Sequence, residues 1–296
     1  MKKTNYHTHT KRCMHACGSD EEYVLAALQN GYETLGFSDH TPWNYKTDFV
    51  AHMRMRLDQA QGYLDSVAAL KEKYQGKIEI LCGFECEYFP GYMDWLLDYL
   101  IEHEVDYIIF GHHYYRTDEN RDQGDRIYFG GIRDHASLQL YVEDAVSAMK
   151  TGMYSYFCHP ELFMRGIKCV DETVREAYYT LCRCAKECGM PLEYNLAGAA
   201  YNHSMHQEAY PHHAFWEVAA EVGNTAIIGV DAHDPRALMS DDLREEGLRF
   251  LRSLGMTITD ELPRVDFRAL RETKAVSYTH HNRCPFLICF PHLRVV

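Results

Sequence analysis

The sequence predicts an α/β protein whose parallel strands curl into a barrel or a barrel-like closed sheet. Three observations carry this. Short, β-rich apolar runs alternate with longer helical patterns, the order expected when each strand is followed by a covering helix. Seven such units are legible in the 296 residues, and one α/β barrel commonly uses about 250 residues. No Pro-, Gly- or Ser-rich linker divides the chain, and no repeat is visible.

Residues 3–9 read as the first strand. Ser19, with Glu22 three positions on, forms a capping box that opens a helix ending at Gly31. Residues 34–38 give strand two, 53–75 a helix stopped at Gly76, and 78–86 strand three. An aromatic-rich helix over 91–103 precedes strand four, 105–111, whose nearly continuous apolar run suits a strand covered on both faces. Helices over 138–151, 171–188, 211–222 and 241–254 each close at a glycine, and strands 154–158, 192–195 and 225–230 lie between them. One domain over residues 1–272 is expected. Beyond Thr273 the text KAVSYTHHNRCPFLICFPHLRVV loses both periods. It is read as an atypical tail, non-native or disordered, with a terminal strand as the alternative.

Composition narrows the function. The formal charge of −13 and pI near 5.7 are poor for gripping a phosphate backbone, so long nucleic acid is disfavoured as a partner. No run of 18 apolar residues could span a membrane. The start MKKTNYHTHTKRC lacks the apolar stretch of a signal peptide, so the eleven cysteines read as reduced thiols of a cytoplasmic protein. None has zinc-ribbon spacing, and Cys184 and Cys188, i and i+4 on a helix, read as small core residues.

Eighteen histidines are the anomaly, and their positions matter more than their number. Strand one ends in His7-Thr8-His9, strand two in Ser38-Asp39-His40, and strand three carries Glu85 and Glu87. Strand four ends in His112-His113, five in His159-Pro160, six in Glu193-Tyr194-Asn195, and seven in Asp231-Ala232-His233. Catalytic groups of parallel barrels sit at these C-terminal strand ends. Imidazole and carboxylate together suit zinc, manganese or iron. His7, His9, His15, His40, Glu85, His113, His159, Asp231 and His233 make nine candidate ligands. Since one catalytic site uses about three protein ligands, nine point to two or three divalent ions.

The order H-x-H, a following loop histidine, G-F-S-D-H, a glutamate strand, G-x-H, C-H-P and D-A-H resembles the PHP (polymerase and histidinol phosphatase) superfamily over residues 4–255. Within it the text is similar to PHP-type histidinol-phosphate phosphatases. The resemblance implies a distorted (βα)7 barrel with a trinuclear metal centre at the mouth. It implies that His7, His9, Glu85 and Asp231 hold one ion and that Glu85 bridges to a second held by His113 and His159. His15, His40 and His233 would hold the third. Family spacing selects His113, with its neighbour His112 as the alternative. Asp39 is expected to orient a liganding histidine.

The implied reaction is hydrolysis of histidinol phosphate by a hydroxide bridging two ions. Glu85, Asp231 and Arg165 would serve catalysis, with Arg165 clamping the phosphate. Glu87 and Tyr115 are the expected substrate contacts, with support of the metal centre as the alternative for Glu87, and Trp43, Tyr88 and Tyr114 are further candidates at the mouth. The family's E-x-N-x-x-G-x-R stretch has no arginine here, and the next loop offers His203, His206, His212 and His213. A broader phosphoesterase acting on nucleotides or short oligonucleotides is the alternative function, and a non-catalytic metal-binding accessory domain the third reading.

Overall fold

The computed structural model describes residues 1–119 and 127–280. Eight parallel strands follow one another in chain order: β1 (Thr4–Asn5), β2 (Thr34–His40), β3 (Glu79–Cys86), β4 (Tyr107–Gly111), β5 (Phe157–Cys158), β6 (Leu192–Asn195), β7 (Thr225–Gly229) and β8 (Thr257–Thr259). The sheet curls until its ends meet. At the C-terminal rim Thr8 bridges Ala232, with His9 N donating to Ala232 O at 2.9 Å and Ala232 N to His7 O at 3.1 Å. At the opposite rim β8 pairs with β7, while Tyr6 Oη and Thr4 Oγ1 donate to Asp260 O at 2.9 and 3.1 Å. Among the described residues the sheet thus has eight strands where seven were expected. Strand β8 escapes a sequence reading because it is three residues long and only half-buried, so it has no apolar run.

The covering helices are α1 (Asp20–Gln29), α2 (Leu57–Lys73), α3 (Met93–Glu102), α4 (His135–Met149), α5 (Glu172–Glu187), α6 (Leu196–Met205), α7 (His213–Val222), α8 (Asp242–Ser253) and α9 (Phe267–His280). The Ser19–Glu22 capping box is present. Helix α6 was not expected: it starts directly from β6, with Asn195 Oδ1 accepting from Gly198 N at 2.7 Å in place of a loop. Helix α9 runs across the boundary expected at residue 273, and its Arg271 pairs with Asp94 and Asp98 of α3 at 3.3 and 3.0 Å. The rest of the tail, residues 281–296, lies outside the described residues.

The main core lies between sheet and helices, and a smaller cluster of Tyr6, Leu81, Tyr107, Ile109, Tyr156, Cys158, Ile227 and Leu262 is separate from it. Strand period puts Leu81 and Glu85 on one face of β3, so this apolar layer supports the carboxylate. Room for that carboxylate comes from Gly111, where a Cβ would sit 2.1 Å from Glu85 Oε1. Gly229 makes the same space for Glu193, at 1.8 Å. Among the described residues no helix is long and apolar enough to cross a membrane.

Candidate metal centre

All nine predicted ligands converge at the C-terminal rim, each delivered by a different local device. Asn5 turns His7 off β1: its Nδ2 donates to His7 O at 3.1 Å and its Oδ1 accepts from Val230 N at 2.9 Å. His40 is the last residue of β2, Glu85 lies in β3, and His113 follows β4. His159 and Asp231, just past β5 and β7, both adopt left-handed backbone, with φ of 33° and 53°. For residues with side chains this costs on the order of 1–3 kcal/mol, so the surrounding structure must impose it. Met14, at φ 69°, turns the loop that presents His15.

Glu85 is the hub. Its Oε2 lies 2.9 Å from His40 Nδ1, 3.4 Å from His9 Nε2 and 3.6 Å from His7 Nε2. Its Oε1 lies 2.9 Å from His159 Nε2 and 3.3 Å from His113 Nε2. Opposite, Asp231 Oδ1 stands 3.3–3.4 Å from His9 Nε2, His7 Nε2 and His233 Nδ1. The rings of His9 and His233 stack at 4.1 Å, and those of His15 and His233 at 4.7 Å.

The electrostatics are those of a site built for cations. Burial alone would raise Glu85, but His113, His40, His7 and His159 hold it well below the usual carboxylate range. Burial would likewise raise Asp231, and His7, His9 and His233 hold it low. Burial drives the pKa of His40 down to about 3 and, with His9 adding repulsion, that of His233 to about 4. Burial thus favours the neutral, metal-binding form of these two imidazoles. Asp231 with Glu193, Asp39 and Glu85 instead raises His7, His9 and His159 against the effect of burial.

The residues fit divalent ions. Buried and without any hydrogen-bond partner are His7 Nε2, both ring nitrogens of His9, His40 Nδ1, Glu85 Oε2, Asp231 Oδ1 and His233 Nε2. Leaving one such group unmet costs about 1–3 kcal/mol, and these point at each other's neighbourhood. Donor atoms of His7, His9 and Glu85, of His7, His159 and Asp231, and of His15, His40 and His233 each lie within 4.8 Å of one another. Cys13 and Cys158 also come near these groups. Burial pushes the Cys13 thiol up to about 12 and Cys158 well above its ordinary value, so the nitrogen and oxygen donors are the better ligands.

Outer partners fix the rings. His7 Nδ1 meets Glu193 Oε1 at 2.8 Å, and His15 Nδ1 meets Cys13 O at 2.7 Å. Asp39 lies 3.5 Å from His9 Nδ1 and accepts from His40 N and from the Thr10 hydroxyl. Glu193 carried no assigned role in the sequence, although it sits at a strand end like the other carboxylates.

A cavity of about 410 Å³ opens over the cluster, lined among others by Met53, Tyr114, Tyr128, Leu162, Arg165, Ala197 and Tyr210. Arg165 is where the sequence placed it. Its Nη1 donates to Tyr128 Oη at 2.9 Å and its guanidinium lies 4.8 Å from the Tyr201 ring. Tyr128 and Tyr210 come from loops with no periodic signal and were missed.

Several expectations are corrected. His112 turns away from the centre, with Nε2 3.2 Å from Tyr141 O among Phe110, Phe129 and Tyr141, because adjacent residues face opposite sides. Glu87 does not line the cavity: its carboxylate is buried against Arg54, Trp43 and His113. Tyr115 packs on Phe129 beneath Arg116, and neither it, Tyr88 nor Trp43 lines the cavity. Cys184 is buried as expected, but Cys188 is exposed at the end of α5. His203, His206 and His213 line a separate surface cavity with Glu208 and Glu246.

Residues 5–197 match the PHP domain family. A protein of Deinococcus radiodurans named "Probable histidinol-phosphatase" is 30% identical over 235 residues, covering 77% of this chain and 85% of that one. A Schizosaccharomyces pombe protein of the same name is 27% identical over 115 residues, covering 36% of this chain and 38% of that one. The crystal structure of the histidinol phosphate phosphatase of Lactococcus lactis subsp. lactis, complexed with zinc, L-histidinol and phosphate, superposes with a TM-score of 0.67. It is 16% identical and covers 88% of this chain and 97% of that chain. Because the family model spans most of the chain and the Deinococcus relative aligns over 77% of it, this chain belongs to the PHP domain family.

Proposed function

We propose that the protein is a metal-dependent phosphomonoesterase that hydrolyses histidinol phosphate to histidinol and phosphate. The carrying observation is the convergence of unpartnered buried nitrogen and oxygen atoms around Glu85 at the floor of one cavity. The name of the Deinococcus relative supports the substrate. His7, His9, Glu85 and Asp231 would hold one ion, His113 and His159 a second across Glu85, and His15, His40 and His233 a third. Zinc, manganese and iron all suit these donors. When bound, such ions lower the pKa of water and neutralise charge on phosphoryl oxygens.

The chain's own groups do the rest. Glu85 presents one oxygen to each half of the cluster and so fixes their separation. Arg165 reaches the phosphate from the cavity wall, its direction set by Tyr128 and Tyr201. Asp231 Oδ1 stands among His7, His9 and His233, beside the backbone bridge that joins the seventh strand end to the first. The nine described cysteines are all free thiols, which suits a reducing cytoplasm.

The test is phosphate release from histidinol phosphate, nucleoside monophosphates, 3′,5′-bisphosphates and a short oligonucleotide, with and without a chelator. Preferential, chelator-sensitive release from histidinol phosphate is expected. Preference for nucleotides would replace this reading with that of a broader phosphoesterase.

A further inference from the structure

We infer that Arg54 is a positioning residue for His113, acting through Glu87. The inference rests on the reading of His113 as a metal ligand. Arg54 lies between β2 and α2, outside any regular element, yet only 1% of its surface is exposed. Its Nη2 and Nη1 donate to Glu87 Oε1 and Oε2 at 2.7 and 2.9 Å, the two-pronged geometry that only a guanidinium offers. The same group donates from Nη2 and Nε to Asp118 Oδ2 at 2.8 and 3.2 Å, and from Nη1 to Thr41 O at 3.3 Å. Trp43 Nε1 closes the set on Glu87 Oε2 at 3.1 Å, and Tyr45 Oη on Asp118 Oδ1 at 2.7 Å.

One cation is thus buried between two carboxylates, and the remaining acceptor capacity of Glu87 has one outlet. Glu87 Oε1 lies 3.3 Å from His113 Nδ1. Accepting the Nδ1 proton leaves Nε2 with its lone pair directed toward Glu85, 3.3 Å from Oε1. Glu87 stands just past the end of β3, where strand geometry no longer fixes its direction. The fork of Arg54 supplies that direction. Because Thr41, Arg54, Glu87 and Asp118 come from the segments that follow β2, β3 and β4, the same guanidinium ties three neighbouring stretches of the rim together. Burying charges costs several kcal/mol per ion, and apolar side chains could fill the space without it. What the ionic cluster adds is a fixed orientation for one imidazole.

The experiment is a double-mutant cycle read by zinc binding in buffered zinc, with circular dichroism checking the fold. The variants are Arg54→Lys, Glu87→Gln, their combination, and His113→Ala as reference. Outer partners of metal ligands are typically worth about 10–100-fold in metal affinity. Arg54→Lys and Glu87→Gln are each expected to weaken by that range the zinc that His113→Ala abolishes, leaving the remaining zinc in place. If Arg54 acts through Glu87, Arg54→Lys has little further effect once Glu87→Gln is present. Should Arg54→Lys not fold, Asp118→Asn replaces it in the cycle, because it loosens Arg54 without touching Glu87. Wild-type zinc binding in a folded Arg54 or Asp118 variant, or additive losses in the cycle, would overturn the proposal while the metal centre stood. Unchanged zinc in His113→Ala would overturn both.

Discussion

Glu193 Oε1 lies 2.8 Å from His7 Nδ1, while Glu193 Oε2 accepts the backbone N–H of His159 at 3.1 Å. One carboxylate therefore orients the His7 ring, whose Nε2 faces Glu85 and Asp231, and holds the left-handed turn at His159. Glu193→Ala is expected to weaken metal binding by about 10–100-fold, the usual effect of losing an orienting carboxylate. Competition with a zinc-sensitive dye measures it, and unchanged affinity would refute the orienting role.

Glu85 divides its oxygens between two groups of histidines, with Oε2 toward His40 and His9 and Oε1 toward His159 and His113. Glu85→Gln should therefore lower the metal content by more than one ion, because a single carboxylate supports both halves. Elemental analysis of the purified variant decides this. Loss of a single ion would show that Glu85 does not bridge.

Arg165 is the cavity's phosphate clamp in this reading. Losing a charge-assisted hydrogen bond costs about 1.5–3 kcal/mol, or roughly 10–150-fold. Arg165→Ala should lower kcat/KM by a similar factor on every phosphomonoester, with metal content unchanged. A loss confined to one substrate would place Arg165 against the leaving group instead.

Asp144 of α4 supplies a pH-dependent test away from the ligands. Burial pushes its carboxyl up to about 7, Arg116 opposes from 3.9 Å, and among the described residues its Oδ2 has no hydrogen-bond partner. The folded protein thus holds a proton that the unfolded chain releases near its ordinary value of 3.8. Stability from this group is complete below that value and is lost as pH rises through about 7. Asp144→Asn cannot ionise, so it should raise Tm by several degrees at pH 8 and hardly at all at pH 4. Equal shifts at both pH values would mean that the carboxyl is not held protonated.

The sequence by itself determined the strand–helix alternation, the glycine stops and the Ser19 capping box, since each depends on a few neighbouring residues. It also singled out the nine candidate ligands, because strand ends of a parallel sheet share one rim and therefore share whatever chemistry they carry. What adjacent residues could not decide was direction. His112 and His113 are equivalent in composition, and only the backbone at the end of β4 sends one into aromatic packing and the other toward Glu85. Glu87 has the same strand parity as Glu85 and reads equally well as a substrate contact. Its partner, Arg54, is 33 residues away in the chain and meets it because β2 and β3 pair side by side. Strand β8 and helix α6 were hidden for related reasons: one is stabilised by pairing with β7, the other by a cap at the strand end. Local propensity and spacing are short-range, so the chain names its candidate ligands; pairing of buried charges is long-range, and only the assembled sheet assigns each carboxylate to its histidine or its arginine.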